Sequence, residues 1–479
     1  MKKRWHKVLA LTLAAALCLG AVGCGKDEGT TEEQQVTTET EGTEGQENTE
    51  NQEDASADQA ASGEDQAEGA KEPETEGETS ETEGTAAASP MALQEVWLQA
   101  DGAPTITAES VLLIDQESGT ILYEKNAKEK IYPASMTKIL TVSLALDKIE
   151  DIHEKVRVTD EDLKGLYEAG ASVAGFYAGE LVTYEDLLYG ALLPSGADAC
   201  NALSRLTYGS TDGLVSAMNQ LVEQLQLQHS HFTNVTGLHD NQHYTTPYDM
   251  AMILHHALQN PLFEEIFNAR TYTSSMKNHT WSSSLQRGKN AFNLDISQID
   301  GAKSGFTDEA QLTLASTMTL EGHQFILVTA YAKGQYTQNH VRDAITVCQY
   351  LHNHYHEVIL YKKDEDIADY WVLQSFQFRY KYKAPQTISI IVPQDLTSDD
   401  LQFQIDTNAY LVAPMEKGEQ IGTLMVYNQE QCLYSCDMVL SDDLSFTMFE
   451  RVAYYGIIIA LISGVVIVVI VIKRKVSHK

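Results

Sequence analysis

The chain has 479 residues, 43% of them hydrophobic, and a formal net charge of -35; the length allows two or three domains with sizeable cores. Such acidity excludes nucleic-acid binding, which needs clustered Lys and Arg against phosphates. The six cysteines, Cys18, Cys24, Cys200, Cys348, Cys432 and Cys436, lack the paired spacing of a disulfide framework or a zinc site. Cys432 and Cys436 would lie about 13 Å apart on a straight strand at roughly 3.3 Å per residue, too far to bridge, and read as reduced and structural.

Residues 1–23 carry Lys2, Lys3, Arg4 and Lys7, then an apolar run over 8–19, then Gly20-Ala21-Val22-Gly23 before Cys24. The apolar core is too short to span a membrane and reads as a secretory signal peptide. Ala21-Val22-Gly23-Cys24 also resembles a bacterial lipoprotein cleavage box, with Ala21 where Leu is usual. That resemblance would make Cys24 the lipidated N-terminus; ordinary cleavage nearby is the alternative. Residues 25–90 hold 21 Asp and Glu against two Lys and almost no aliphatic or aromatic side chains. A segment of that composition cannot bury enough apolar surface to offset chain entropy, so 24–90 is expected to be a disordered, self-repelling linker.

From about residue 107 the pattern becomes that of a folded domain. Residues 110–115 and 120–124, separated by Gln116-Glu117-Ser118-Gly119, predict a β-hairpin. Helical periods follow at 135–146, 184–193, 198–207, 213–227 and 246–257, and strand-like runs at 299–305, 311–320 and 323–332. A closing helix is expected over 339–354. Hairpin, helical insertion, strands and final helix together predict an α+β domain, residues 91–356, with a helical cluster set into an antiparallel sheet. His352, His354 and His356 are dense near its end but have no carboxylate pattern around them, and read as solvated helix histidines rather than metal ligands. No metal or other cofactor is expected.

Residues 357–447 carry short alternating runs at 388–392, 402–405 and 420–427 with no long helical period, which predicts a small all-β domain. Residues 452–472 are uncharged and end in Lys473-Arg474-Lys475. This stretch is long enough to span a bilayer as a transmembrane helix, with 473–479 as a cytoplasmic tail and the preceding domains on the extracytoplasmic side of the cell membrane.

Three short motifs carry chemistry. In Ser135-Met136-Thr137-Lys138 a hydroxyl and an amine lie three residues apart at a helix start, so both share one face of its first turn. A lysine kept neutral by burial can take the proton from such a serine and make it a nucleophile. Pro194-Ser195-Gly196-Ala197-Asp198 falls between two helical segments and offers a second serine as proton relay; Asp300-Gly301-Ala302-Lys303-Ser304-Gly305-Phe306 falls on a strand. There Lys303 would add positive potential, Ser304 would bind a carboxylate, and Gly305 would let a substrate backbone lie along the edge. Each motif alone occurs often by chance; their order in one chain is the signal.

These motifs resemble those of the penicillin-binding serine D,D-peptidases, S-x-x-K, S-x-N and K-T-G or K-S-G. The runs Phe232-Thr233-Asn234-Val235-Thr236-Gly237-Leu238-His239-Asp240 and His243-Tyr244-Thr245-Thr246, and Pro414 to Leu424 in the all-β domain, resemble the D-alanyl-D-alanine carboxypeptidase branch. The resemblance covers about residues 110–445 and implies a β-lactamase/transpeptidase-like fold. It implies further that Ser135 attacks the bond between two terminal D-alanines of a peptidoglycan stem peptide, with Lys138 as base. Ser195 and Lys303 would protonate the leaving D-alanine, and Ser304 would bind its carboxylate. Penicillin and other β-lactams would acylate the same serine. One departure stands out: Ala197 replaces the asparagine of the second motif. It motivates the alternative of a weak or inactive binding protein. A serine β-lactamase is a further alternative, but no Glu-x-x-x-Asn stretch lies between the second and third motifs.

Overall fold

The computed structural model describes residues 104–334, 337–407 and 409–477. The leader, Cys24 and the acidic tract lie outside the described residues.

Strands β1 (Ser110–Asp115) and β2 (Ile121–Lys125) form the expected hairpin, after which a single 3-10 turn, Ala134–Met136, runs into α1 (Thr137–Leu146). Ser135 therefore lies in the tight turn ahead of the α-helix and not in its first turn. The insertion continues with β3 (Lys155–Arg157), α2 (Asp160–Leu163), β4 (Leu181–Thr183), α3 (Tyr184–Leu192), α4 (Ala197–Tyr208), α5 (Thr211–Gln224) and α6 (Pro247–Leu258). It ends with α7 (Pro261–Asn268), β5 (Thr271–Thr273), β6 (Thr280–Ser282) and α8 (Ser284–Phe292), of which the helices α7 and α8 were not anticipated. Their starts are nonetheless signalled: Asn260 and Ser283 each cap a helix with a side-chain oxygen, and Pro261 takes the first position of α7, where its missing N–H costs nothing. Strands β7 (Gly301–Thr307), β8 (Gln311–Leu320) and β9 (His323–Ala332) and helix α9 (Asn339–His354) complete this part.

The principal sheet is antiparallel, in the order β2-β1-β9-β8-β7. Both of its faces are covered, which is why the middles of β1 and β9, 111–114 and 325–328, are unbroken apolar runs instead of alternating with polar residues. Leu112, Ile114, Ile326, Val328 and Ala330 face the helical insertion, where α1 is buried along its whole length. Val111, Leu113, Phe325 and Leu327 belong to a second core with Val341, Ala344 and Val347 of α9. Asp343 of α9 accepts from the Thr107 amide and hydroxyl and the Ala108 amide, holding the strand entry against the closing helix.

Beyond α9 the chain turns at once into β10 (Tyr355–Tyr361), so His356 lies on a strand and only His352 and His354 are helical. Strands β11 (Asp366–Leu373), β12 (Arg379–Lys383), β13 (Ile388–Pro393), β14 (Leu401–Thr407), β15 (Tyr410–Val412), β16 (Gln420–Asn428) and β17 (Gln431–Val439) make three small sheets, β10-β13, β12-β11-β15 and β14-β16-β17. The second core runs on into them through Ile390, Val392, Leu424 and Leu433. Cys432 and Cys436 lie on one strand and are free thiols. Helix α10 (Met448–Ser477) is 30 residues long, has no buried residue, and is long and apolar enough to cross a membrane.

Candidate active site

The fold brings the three motifs into contact. Lys138 Nζ donates to Ser135 Oγ at 3.0 Å, and Lys303 Nζ donates to Ser195 Oγ at 3.0 Å. Both lysines are 2% exposed. Burial holds the Lys138 amine below its usual range, against the opposing pull of Cys200 and Asp198; burial, then Lys138 and Arg287, hold the Lys303 amine well below its own. Ser135 is half-buried. Ser304 is half-buried on the edge strand β7, and its carbonyl accepts from Lys303 Nζ at 2.8 Å. Of the expected site residues, only Cys24 is not placed.

Gly305 has a reason beyond admitting a substrate. A Cβ built there would stand 2.7 Å from Ser135 N and 2.6 Å from Thr313 Oγ1, so the Ser135 turn packs directly on β7. Thr313 Oγ1 in turn donates to Pro133 O at 3.3 Å. On the other side, Gly237 has φ +81°, and a Cβ on it would lie 1.8 Å from Ala134 O. The turn is thus held between a strand and a loop by two glycines.

That loop, 232–238, was visible as a family-like run but its work was not. Asn234 Oδ1 accepts from the Thr236 and Gly237 amides and shapes the turn; Lys138 Nζ donates to the Thr236 carbonyl, and Thr141 Oγ1 donates to Val235 O at 2.7 Å. His243 secures it from below. Its Nδ1 accepts the Thr233 amide at 3.0 Å, so Nε2 carries the hydrogen and donates to Thr137 Oγ1 at 2.8 Å, which donates to Ala134 O at 2.8 Å. Burial pushes the His243 imidazole down to about 4, keeping it neutral in this chain of bonds. Ala134 itself has φ +45°, a left-handed conformation for a residue with a side chain, sustained by these contacts.

Ser195 also has a positive φ, +68°. Its turn is held by Asp198, which is fully buried and accepts from the amides of Ala174, Gly175 and Phe176 at 2.7, 3.0 and 3.1 Å. Ala197, 1% exposed, donates its amide to Ser172 O and has no side chain to offer a ligand. Asn201 does not replace it: its carboxamide donates to Asp162 O at 3.0 Å. Sequence reasoning also passed over Arg287, whose Nη1 donates to Leu193 O at 3.1 Å and whose charge reaches Lys303. The arrangement sets one serine against a buried amine of lowered pKa and a second serine against another.

A nucleophile so placed on an antiparallel sheet defines the class of serine acyl-transfer enzymes with a transpeptidase-like fold. The D-alanyl-D-alanine carboxypeptidase model of peptidase family S11 matches residues 98–334. A D-alanyl-D-alanine carboxypeptidase from a Streptomyces species is 30% identical over 235 residues, covering 47% of this chain and 80% of its own. DacF of Bacillus subtilis, a D-alanyl-D-alanine carboxypeptidase, is 27% identical over 340 residues, 70% of this chain and 86% of its own. In fold the chain resembles penicillin-binding protein 5 of Haemophilus influenzae, with TM-score 0.61 at 24% identity over 72% of this chain and 99% of that one. The chain belongs to the S11 D-alanyl-D-alanine carboxypeptidases, which are serine-type hydrolases.

Proposed function

We propose that this protein is a working serine D,D-carboxypeptidase that removes the terminal D-alanine from peptidoglycan stem pentapeptides. Ser135 Oγ attacks the carbonyl between the two D-alanines while its proton passes to Lys138 Nζ, 3.0 Å away. The oxyanion is received by the Ser135 N–H and the N–H following Gly305, and Ser304 holds the terminal carboxylate. Breakage of the C–N bond needs a proton on the departing amine; Ser195, in contact with Lys303, delivers it, and the proton that Lys138 took from Ser135 replaces the one Ser195 gives up. Water then releases the acyl group and restores Ser135. A β-lactam acylates the same oxygen. The observation that carries this reading is the pair of buried, depressed lysines, each on its own serine.

On the same reading residues 91–356 are the peptidase domain, 1–23 the secretory leader and α10 the anchor in the cell membrane, and the activity serves cell-wall biogenesis and cell shape. The test is labelling with a fluorescent penicillin. Wild type forms a covalent adduct and Ser135→Ala forms none; a wild type that fails to label refutes the acyl-enzyme. A protein that labels but releases no D-alanine from a pentapeptide is the binding protein that Ala197 suggested.

A further inference from the structure

The outer face of the β12-β11-β15 sheet is divided along its length. At the start of β11 it is charged, with Lys381 paired to Asp366 and Arg379 Nε to Asp369 Oδ1 at 2.8 Å. At the other end Trp371 lies beside Tyr410 and Leu373 beside Val412, and the β11-β12 connection adds Phe376 and Phe378. All six side chains are between 40% and 58% exposed. Half-exposed aromatics gathered at one end of a small sheet mark an interaction surface and not scatter.

What covers it follows from what stands beside it. Ala413, just past β15, donates to Leu373 O, and Met415 pairs with Leu444. Four residues after Leu444 the chain enters α10. The Phe376 ring meets Tyr454, 6.2 Å between centroids, and Phe446 meets Tyr454 and Tyr455 at 5.6 and 6.3 Å. Tyr454 and Tyr455 open the uncharged stretch of α10, which at roughly 1.5 Å per residue is about 31 Å long and matches a bilayer core. Aromatic rings favour the boundary between headgroups and acyl chains. Arg379, its Cζ 4.6 Å from the Trp371 ring, would lie at headgroup depth.

We propose that this apolar end of the sheet docks on the phospholipid bilayer, with Trp371, Phe376 and Phe378 in the headgroup–acyl boundary beside the first turns of α10. The proposal rests on α10 spanning the membrane, and the test separates the two. The full chain is reconstituted in phosphatidylcholine–phosphatidylglycerol vesicles, with bromine on the acyl carbons nearest the glycerol in one series. The tryptophan emission that Trp371→Phe removes is expected to fall about twofold in brominated vesicles, at every protein-to-lipid ratio. Trp281, 6% exposed in the helical part, is a control for unquenched emission. A chain that resists alkaline carbonate extraction while its Trp371 component is unquenched overturns the docking and leaves the span intact. Extraction by carbonate overturns the span and the docking with it. Protection of Trp371 that is lost on diluting protein in lipid assigns the face to a second copy and overturns the bilayer as its occupant.

Discussion

Two residues beyond Ser195, the methyl of Ala197 occupies the position of the family's carboxamide, in a spot 1% exposed. The Ser195 turn does not depend on that missing group, since Asp198 ties it to three backbone amides. On the proposed reaction, the substitution removes one hydrogen bond to the substrate, worth roughly 0.5–1.5 kcal/mol, or about three- to twelvefold in rate. Ala197→Asn should therefore raise kcat/KM for D-alanine release by about that factor while penicillin still labels Ser135. A steady-state comparison on one pentapeptide checks it; a variant that is slower despite full folding would mean that the site has closed around the smaller residue. At this scale the sequence was informative about identity and silent about environment. Ser135, Lys138, Ser195 and Lys303 could be named from spacing, but what surrounds the amines could not: the Thr236 carbonyl that accepts from Lys138 Nζ lies 98 positions along the chain, and the Arg287 charge that acts on Lys303 lies outside all three motifs.

Among the elements, the 232–238 loop controls whether the Ser135 turn can exist. Gly237→Ala would place a methyl 1.8 Å from Ala134 O at φ +81°. It should lower stability by at least about 1 kcal/mol and strongly slow penicillin labelling. Gly209 is the control: its φ is +79°, but nothing lies within 4 Å of an added Cβ, so Gly209→Ala shares the backbone strain without the collision and should label normally. Thermal melts and labelling time courses separate the two effects. Long periodic elements were legible: β1, β8, β9 and α9 fall where the apolar pattern put them. Three-residue strands such as β3 and β5 have no period to read, and β12, Arg-Tyr-Lys-Tyr-Lys, looks like a charged loop until Tyr380 and Tyr382 are seen buried on one side. The 3-10 turn at Ala134–Met136 was unreadable because its cause is the glycines that press on it from elsewhere.

On the scale of the whole molecule, His323 ties the principal sheet to the all-β part. It is 4% exposed; Nδ1 lies 3.1 Å from Asp115 Oδ2 and Nε2 2.9 Å from Ser389 Oγ, linking the principal sheet to β13. Burial disfavours its charge, yet Asp115, Glu117 and Glu357 outweigh burial and raise its pKa above 6.5. A raised folded pKa gives stability that is complete below pH 6.5 and is lost as pH climbs through the folded value. The melting temperature of the wild type should thus decline over that alkaline-side window, and that of His323→Gln should not. A parallel decline in both would place the titrating group elsewhere. The same long-range construction sets a schedule. The Ser135 turn leans on Gly305 and Thr313, and β1 needs β9 as its partner, so roughly 200 residues must follow Ser135 out of the ribosome before any site exists. At about 5–20 residues per second that is some 10–40 s. Throughout this interval the nascent chain holds its serine without the means to ionise it, and it can neither cut a wall peptide nor be trapped by a penicillin until the chain has been made through β9.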